Sequence, residues 1–251
     1  MSVNTAVPDS KSTTGPASFV RERVLGVLGR RILSGHYKQN VVLPTEAQLC
    51  EEFGVSRTAM REAIKMLAAK GMIVSRQRAG TRVQEASNWN RLDPDVLEWM
   101  NGIDFDPDFV RGLIEARQAI EPAAARLAAM RATAKDLALI EEAYDAMCAA
   151  PTTDLAACAE ADVAFHASIL RASHNPIFAG LVSLIGQSLA NSFRLTTSVS
   201  QSYVTTLDAH GDVLEAIRLR QPEIASERMR ALIEIASSDL LRHTAELRKT
   251  A

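Results

Sequence analysis

A chain of 251 residues exceeds the usual size of one domain, so two domains, each able to bury its own core, are expected. Aromatic residues make up 5% against 47% hydrophobic residues in all, a balance that favours alanine- and leucine-rich helices and argues against a large sheet. The net charge of −2 conceals a division, because residues 18–85 carry 12 Lys and Arg against 6 Asp and Glu while residues 86–251 carry 15 against 23; a basic module joined to an acidic one suits phosphate binding by one end alone.

Residues 1–17 are rich in Ser, Thr and Pro, lack the apolar run of a signal peptide and read as a disordered arm. The spacing of Val20, Val24, Val27, Leu28 and Ile32 predicts a first helix over Phe19–Leu33, stopped at Gly35. Thr45 and Gln48 have capping-box spacing at the head of a short second helix ending near Phe53. Gly54 permits a tight turn, Ser56 can cap the third helix, and Ala59, Ile64 and Leu67 form its inner face up to Gly71. The runs 72–74 and 81–83 predict a β-hairpin with a basic, glycine-containing tip. The expected N-terminal domain covers 18–85, a linker with a short helix from Pro94 to Met100 covers 86–106, and a bundle covers 107–251. Its helices are expected at 108–130, 134–149, 153–172, 176–197, 202–219 and 221–247, with breaks at Pro151, Pro176 and Pro222. The fold class is therefore mainly α: a winged helix-turn-helix with a small hairpin wing, then an all-helical bundle.

A helix-turn-helix reads bases from the first two turns of its second helix, which here carry Ser56, Arg57, Thr58 and Arg61. Arg57 and Arg61 are four apart and share a face, each with a planar donor fork able to address guanine or phosphate, and Lys65 continues the row. Arg76, Gln77, Arg78 and Gly80 of the wing could reach the backbone or minor groove. The plainer alternative is that these basic side chains only solvate an exposed helix.

The run Leu43-Pro44-Thr45-Glu46 through Leu49, then Glu52-Phe53-Gly54-Val55-Ser56-Arg57-Thr58, Arg61-Glu62-Ala63, Lys70-Gly71 and Arg76 to Val83, resembles the winged-helix domain of the GntR family over residues 19–84. The resemblance implies operator contacts by Arg57 and Arg61 and by the wing around Gln77 to Gly80. Many relatives carry a DNA-contacting arginine where this chain has Ala47.

In the bundle, Leu155, Cys158, Asp162, Phe165, His166 and Ile169 form one stripe, so a carboxylate and an imidazole sit one turn apart within an apolar face. A buried carboxylate needs a cation, hydrogen bonds or a metal. His210 lies in register with Leu207, Leu214 and Ile217, and Arg117 falls among Val110, Leu113, Ile120, Ala124 and Leu127. Asp162, His166 and His210 form a plausible set for zinc or nickel, with open positions for water or an acid, and Arg117 could clamp a carboxylate. Alternatively each histidine is a satisfied core residue and Asp162 simply pairs with Arg117. Asn191 and Arg194 are further pocket candidates, while His174 reads as a surface or packing residue.

Glu115-Ala116-Arg117 with Glu121, Asp162-x-x-x-His166, Asn175-Pro176, and His210 with Leu214 and Ala216-Ile217 resemble the FCD ligand-binding domain of the FadR subfamily over about 107–247. Metal-binding relatives use an aspartate and three histidines, and the resemblance places the fourth position at Leu232, which has no donor atom. The run Leu92 to Trp99 resembles regulators of sugar-acid catabolism, the galactonate type above all. The resemblance implies a homodimer on palindromic operator DNA, a repressor of a catabolic operon released by a small organic acid, with another carboxylate or a metal-free site as alternatives.

Three cysteines, Cys50, Cys148 and Cys158, form an odd set without C-x-x-C spacing, which indicates neither a disulfide framework nor a zinc knuckle and fits a cytoplasmic protein. No stretch approaches the roughly 20 apolar residues of a membrane span. A metal-dependent hydrolase with an appended DNA-binding module would need a general base beside an activated water, and the sequence has no H-E-x-x-H, so an enzyme is not expected. A structural DNA-binding protein with a merely dimerising bundle is the third reading.

Overall fold

The computed structural model describes residues 16–76, 79–100, 103, 107–186 and 199–250. The chain divides into two compact units, Met1–Ile103 and Asp104–Ala251.

The first unit begins with helix α1 (Pro16–Leu33), followed by α2 (Glu46–Phe53) and α3 (Arg57–Ala69). The capping box forms as the sequence predicts: Thr45 accepts from the amide of Gln48, and the Gln48 side chain accepts from the amide of Thr45. Gly54 ends α2 at φ 63°, a left-handed conformation that costs glycine little. The turn is short because Ser56 caps α3 at once, accepting from the amide of Ala59 at 3.2 Å. Met60, Ala63, Ile64 and Leu67 of α3 pack towards Val24, Leu25, Leu28 and Ile32 of α1, all buried, and Val27 of the expected inner stripe is 37% exposed. Strands β1 (Ile73–Arg76) and β2 (Gly80–Val83) pair antiparallel with Ile73 opposite Val83 and Arg76 opposite Gly80.

A 3₁₀ turn (Ala86–Asn88) and helix α4 (Pro94–Trp99) complete this unit, so the segment expected to be a linker packs on the winged helix. Two devices hold α4. Lys70, 8% exposed, places its ammonium 2.6 Å from Asp93 and 2.7 Å from Asp95, and over the Trp99 ring at 5.6 Å. Burial would lower its pKa, but hydrogen bonds to Asp93 and Asp95 outweigh that and raise it. Trp99, 5% exposed, fits a notch in α1: a Cβ at Gly29 would lie 2.2–2.8 Å from its ring carbons. Gly29→Ala is therefore expected to expel the ring and cost about 1–3 kcal/mol or more, with a shift in tryptophan emission. Denaturant unfolding and fluorescence check this; unchanged stability and emission would refute the notch.

The second unit contains α5 (Pro107–Arg131), α6 (Ala134–Ala149), α7 (Leu155–Ala172), α8 (Pro176–Gly180), a helical stretch at 182–186, α9 (Val199–Arg218) and α10 (Pro222–Thr250). Of the helix expected over 176–197, the first part is thus broken after Gly180 and the rest lies outside the described residues. Helix α10 packs on α5 and α9, α6 packs on α7, and α5 also contacts α7. Ala124, Ala125, Ala128, Ala129 and Ala132 are buried on or just after α5; with little beyond Cβ to keep helices apart, this face admits close packing. Helix ends are satisfied by arginines, since Arg220 donates to the carbonyls of Ala129 and Ala132 and Arg131 to that of Ser173. His174, read as surface or packing, is about half exposed and contacts Asp136 at 2.8 Å. Among the described residues no helix is long and apolar enough to cross a membrane.

Candidate functional site

Two sets of polar side chains stand out, one in each unit. On α3, Arg57, Thr58, Arg61 and Lys65 are all exposed. Arg57 has no side-chain partner among the described residues. Arg61 donates from Nε to Glu46 Oε2 of α2 at 2.9 Å, and Lys65 pairs with Glu62 at 2.8 Å. Ser56 is exposed but spends its oxygen as the cap of α3. Arg76 and Gly80 are exposed where the hairpin turns, Gly80 at φ 79°, while Gln77 and Arg78 lie outside the described residues. Ala47 is exposed on α2 beside Glu46.

In the second unit Arg117, Asp162, His166 and His210 come from three helices and are 4%, 6%, 2% and 2% exposed. Glu121, 1% exposed, joins them. Arg117 Nε donates to Glu121 Oε1 at 2.6 Å, so the direct Arg117–Asp162 pair, one of the readings open from the sequence, is replaced by an i, i+4 pair on α5. The other oxygen of Glu121 contacts His166 Nδ1. His210 Nδ1 lies 2.7 Å from the carbonyl of Thr206, one turn back on α9; a carbonyl only accepts, so Nδ1 donates there and Nε2 is left to face Asp162. The Nε2 atoms of His166 and His210 lie 3.8 and 3.1 Å from Asp162 Oδ1.

Electrostatics hold the carboxylates ionised. Burial would raise Glu121, but the charge of Arg117, then that of His166, lowers it to about 2. Asp162 is likewise raised by burial but lowered on balance by the contact with His210 and the charge of His166. Phe165 stands edge-on to both imidazoles, at 5.7 and 5.1 Å between centroids, and shields one flank of the cluster.

One carboxylate and two imidazole ligand atoms lie within 4.8 Å of one another, a donor set that fits a borderline divalent ion. Among the described residues, buried His210 Nε2 makes no aligned hydrogen bond although Asp162 Oδ1 lies 3.1 Å away, an arrangement that a shared metal ion would satisfy. Glu121 against the far nitrogen of His166 and the Thr206 carbonyl against that of His210 are the outer contacts that metal-bound histidines use. Leu232 is 2% exposed within the apolar core and adds no ligand. Leu155, placed on the inner stripe by its spacing, is 48% exposed in the first turn of α7. Asn191 and Arg194 lie outside the described residues. The sequence marks Glu121 and Glu46 only as members of family motifs; the i, i+4 spacing of Arg117 and Glu121 was a usable signal for their pairing, whereas the 15-residue separation of Glu46 and Arg61 gave none.

These features define a winged helix-turn-helix unit followed by an all-helical unit that carries a possible metal-binding triad. The gntR family of bacterial regulatory proteins matches residues 20–83, and the FCD domain matches residues 112–235. The chain belongs to the GntR family of transcription regulators, with an FCD domain as its second unit. It is 38% identical to the galactonate operon transcriptional repressor of Escherichia coli over 86% of this chain and 94% of that protein. It is also 30% identical to the Glc operon transcriptional activator of the same organism, over 90% of each. The solved structure of Lar, which controls expression of the Listeria monocytogenes agr system, matches with a TM-score of 0.63 and 22% identity over 88% of this chain and 96% of that one; it shares the fold.

Proposed function

We propose that the protein is a homodimeric repressor of a catabolic operon, released by a small sugar acid held at the FCD site with a divalent ion. The observation that carries this reading is the gathering of Arg117, Asp162, His166 and His210 in a largely apolar bundle. Polar groups are costly to bury, so a set with an unpartnered nitrogen calls for a ligand. With both histidines neutral, as metal ligation requires, Arg117 offsets one of the two carboxylates and leaves one net negative charge; a divalent ion turns this into one net positive charge, which a single carboxylate neutralises. Zinc or nickel would be held by Asp162, His166 and His210, and supplies a Lewis-acid anchor for the carboxylate oxygens. With three protein ligands, coordination positions remain for the acid's carboxylate and a neighbouring hydroxyl. The likeness to the galactonate operon repressor favours an aldonate and a repressing role.

On the DNA side, Ser56, Arg57, Thr58, Arg61 and Lys65 face the major groove, and the wing residues Arg76, Gln77, Arg78 and Gly80 face the adjoining backbone. A two-fold dimer places two such faces on a palindromic operator. Effector binding needs only a coupling of about 1–3 kcal/mol to change operator affinity roughly 5- to 150-fold. The protein then acts in the cytoplasm and catalyses nothing. Asn191 and Arg194 are proposed to border the acid.

Two measurements test this. Zinc or nickel at 100 times its Kd is expected to stabilise the protein by about 2.7 kcal/mol, reversed by chelator and absent in Asp162→Ala. In mobility shifts on the operon's own promoter, one of a panel of aldonates is expected to release the protein. Operator binding indifferent to every acid, with and without metal, would overturn the inducer reading.

A further inference from the structure

Arg57 and Arg61 stand one turn apart on the same face of α3, yet their surroundings differ. Arg57 is unpartnered, whereas Arg61 is tied through Nε to Glu46 of α2 at 2.9 Å. Both partners are exposed, at 63% and 41% of their side chains, and exposed ion pairs add little to stability. The pair also has no net charge, so it adds little to the attraction of phosphates that drives sequence-independent binding. The ion pair itself therefore contributes little to folding or to general DNA affinity.

Its geometry does suit base recognition. With Nε engaged, both terminal amino groups of Arg61 are without partners among the described residues, and so is the second oxygen of Glu46. The pair therefore offers two parallel donors beside one acceptor. In the major groove a G·C pair presents the reverse: two acceptors on guanine, N7 and O6, beside the N4 amino donor of cytosine. Glu46 is held firmly, since it opens α2 directly after the Thr45 capping box, where the positive end of the helix dipole also favours its charge.

We propose that Glu46 and Arg61 act as one composite reader of a G·C base pair, Arg61 donating to the guanine edge and Glu46 accepting from the cytosine amino group. The reader spans both helices of the helix-turn-helix and rests on the reading that α3 enters the major groove. Glu46 thereby sets specificity: a thymine at the cytosine position would face its carboxylate with the O4 acceptor, and a phosphate would repel it.

The test is selection of randomised duplexes by the full-length protein, followed by affinities for the consensus and for duplexes altered at one pair. The wild type is expected to fix one G·C pair per half-site and to discriminate against other pairs there roughly 5- to 150-fold, the scale of one good bidentate contact. Glu46→Ala and Arg61→Ala lose discrimination at that same pair and keep it elsewhere. Glu46→Gln, which keeps an acceptor oxygen without the charge, retains the preference but gains affinity for random duplex at low salt, its salt slope steeper by up to about 0.9. Wild-type discrimination in Glu46→Ala overturns the composite reader. So does a loss of all DNA binding with a lowered melting temperature in both Glu46 variants, because it makes the pair structural. A wild type that selects no consensus overturns the operator-binding reading itself, and the reader with it.

Discussion

Glu121→Ala is expected to destabilise the helical unit by about 3–5 kcal/mol, the scale found when one partner of a buried ion pair is removed. Arg117 is 4% exposed and its guanidinium bonds to Glu121, so the variant strands a charge that cannot reach water. The same change frees Nδ1 of His166 from its carboxylate, so metal affinity should fall as well. Replacing both partners with apolar residues, Arg117→Met with Glu121→Leu, should recover most of the stability while the response to acid stays lost. Because the Glu121 carboxyl is lowered to about 2, its contribution is full above the ordinary value of 4.5 and disappears as pH falls from there towards 2. Wild type and Glu121→Ala should therefore differ most at neutral pH and converge in acid. Urea unfolding of the full chain followed by helical signal measures this; a loss below about 1 kcal/mol would mean that Arg117 finds another anion.

The second large effect lies on α3. Arg57→Ala with Arg61→Ala is expected to reduce operator affinity on the order of 10²- to 10⁴-fold if each guanidinium contributes one good bidentate contact. Thermal stability should hardly change, because both side chains are exposed and neither supports the core. Binding to random duplex should weaken much less, which separates the loss of base reading from the loss of charge. Fluorescence anisotropy at two salt concentrations distinguishes the two. A double variant with wild-type operator affinity would remove α3 as the reader and return its arginines to the role of surface charge.

The outcome in the first unit was largely legible because its signals are local. A capping box spans four residues, a left-handed stop needs one glycine, and a helix face repeats every three or four positions. Thr45 with Gln48, Gly54, and Ile64 with Leu67 illustrate the three cases, although Met60 and Ala63 complete that buried face where Ala59 was expected. The placement of α4 was not legible, since its fit depends on Trp99 meeting an absence of side chain at Gly29, some seventy residues away. Leu155 misled for a related reason: its spacing continued the inner stripe of α7 past the point where neighbouring helices cover it.

Residue order along the chain determined which side chains share a helix face, because helical geometry fixes that without any neighbour: Arg57 with Arg61, Asp162 with His166, Arg117 with Glu121. Only the tertiary structure decided which faces meet. It brought His210 to Asp162 and joined Glu46 to Arg61. Those pairings depend on the packing of whole helices, and the spacing of residues within one helix carries no information about the distance to another.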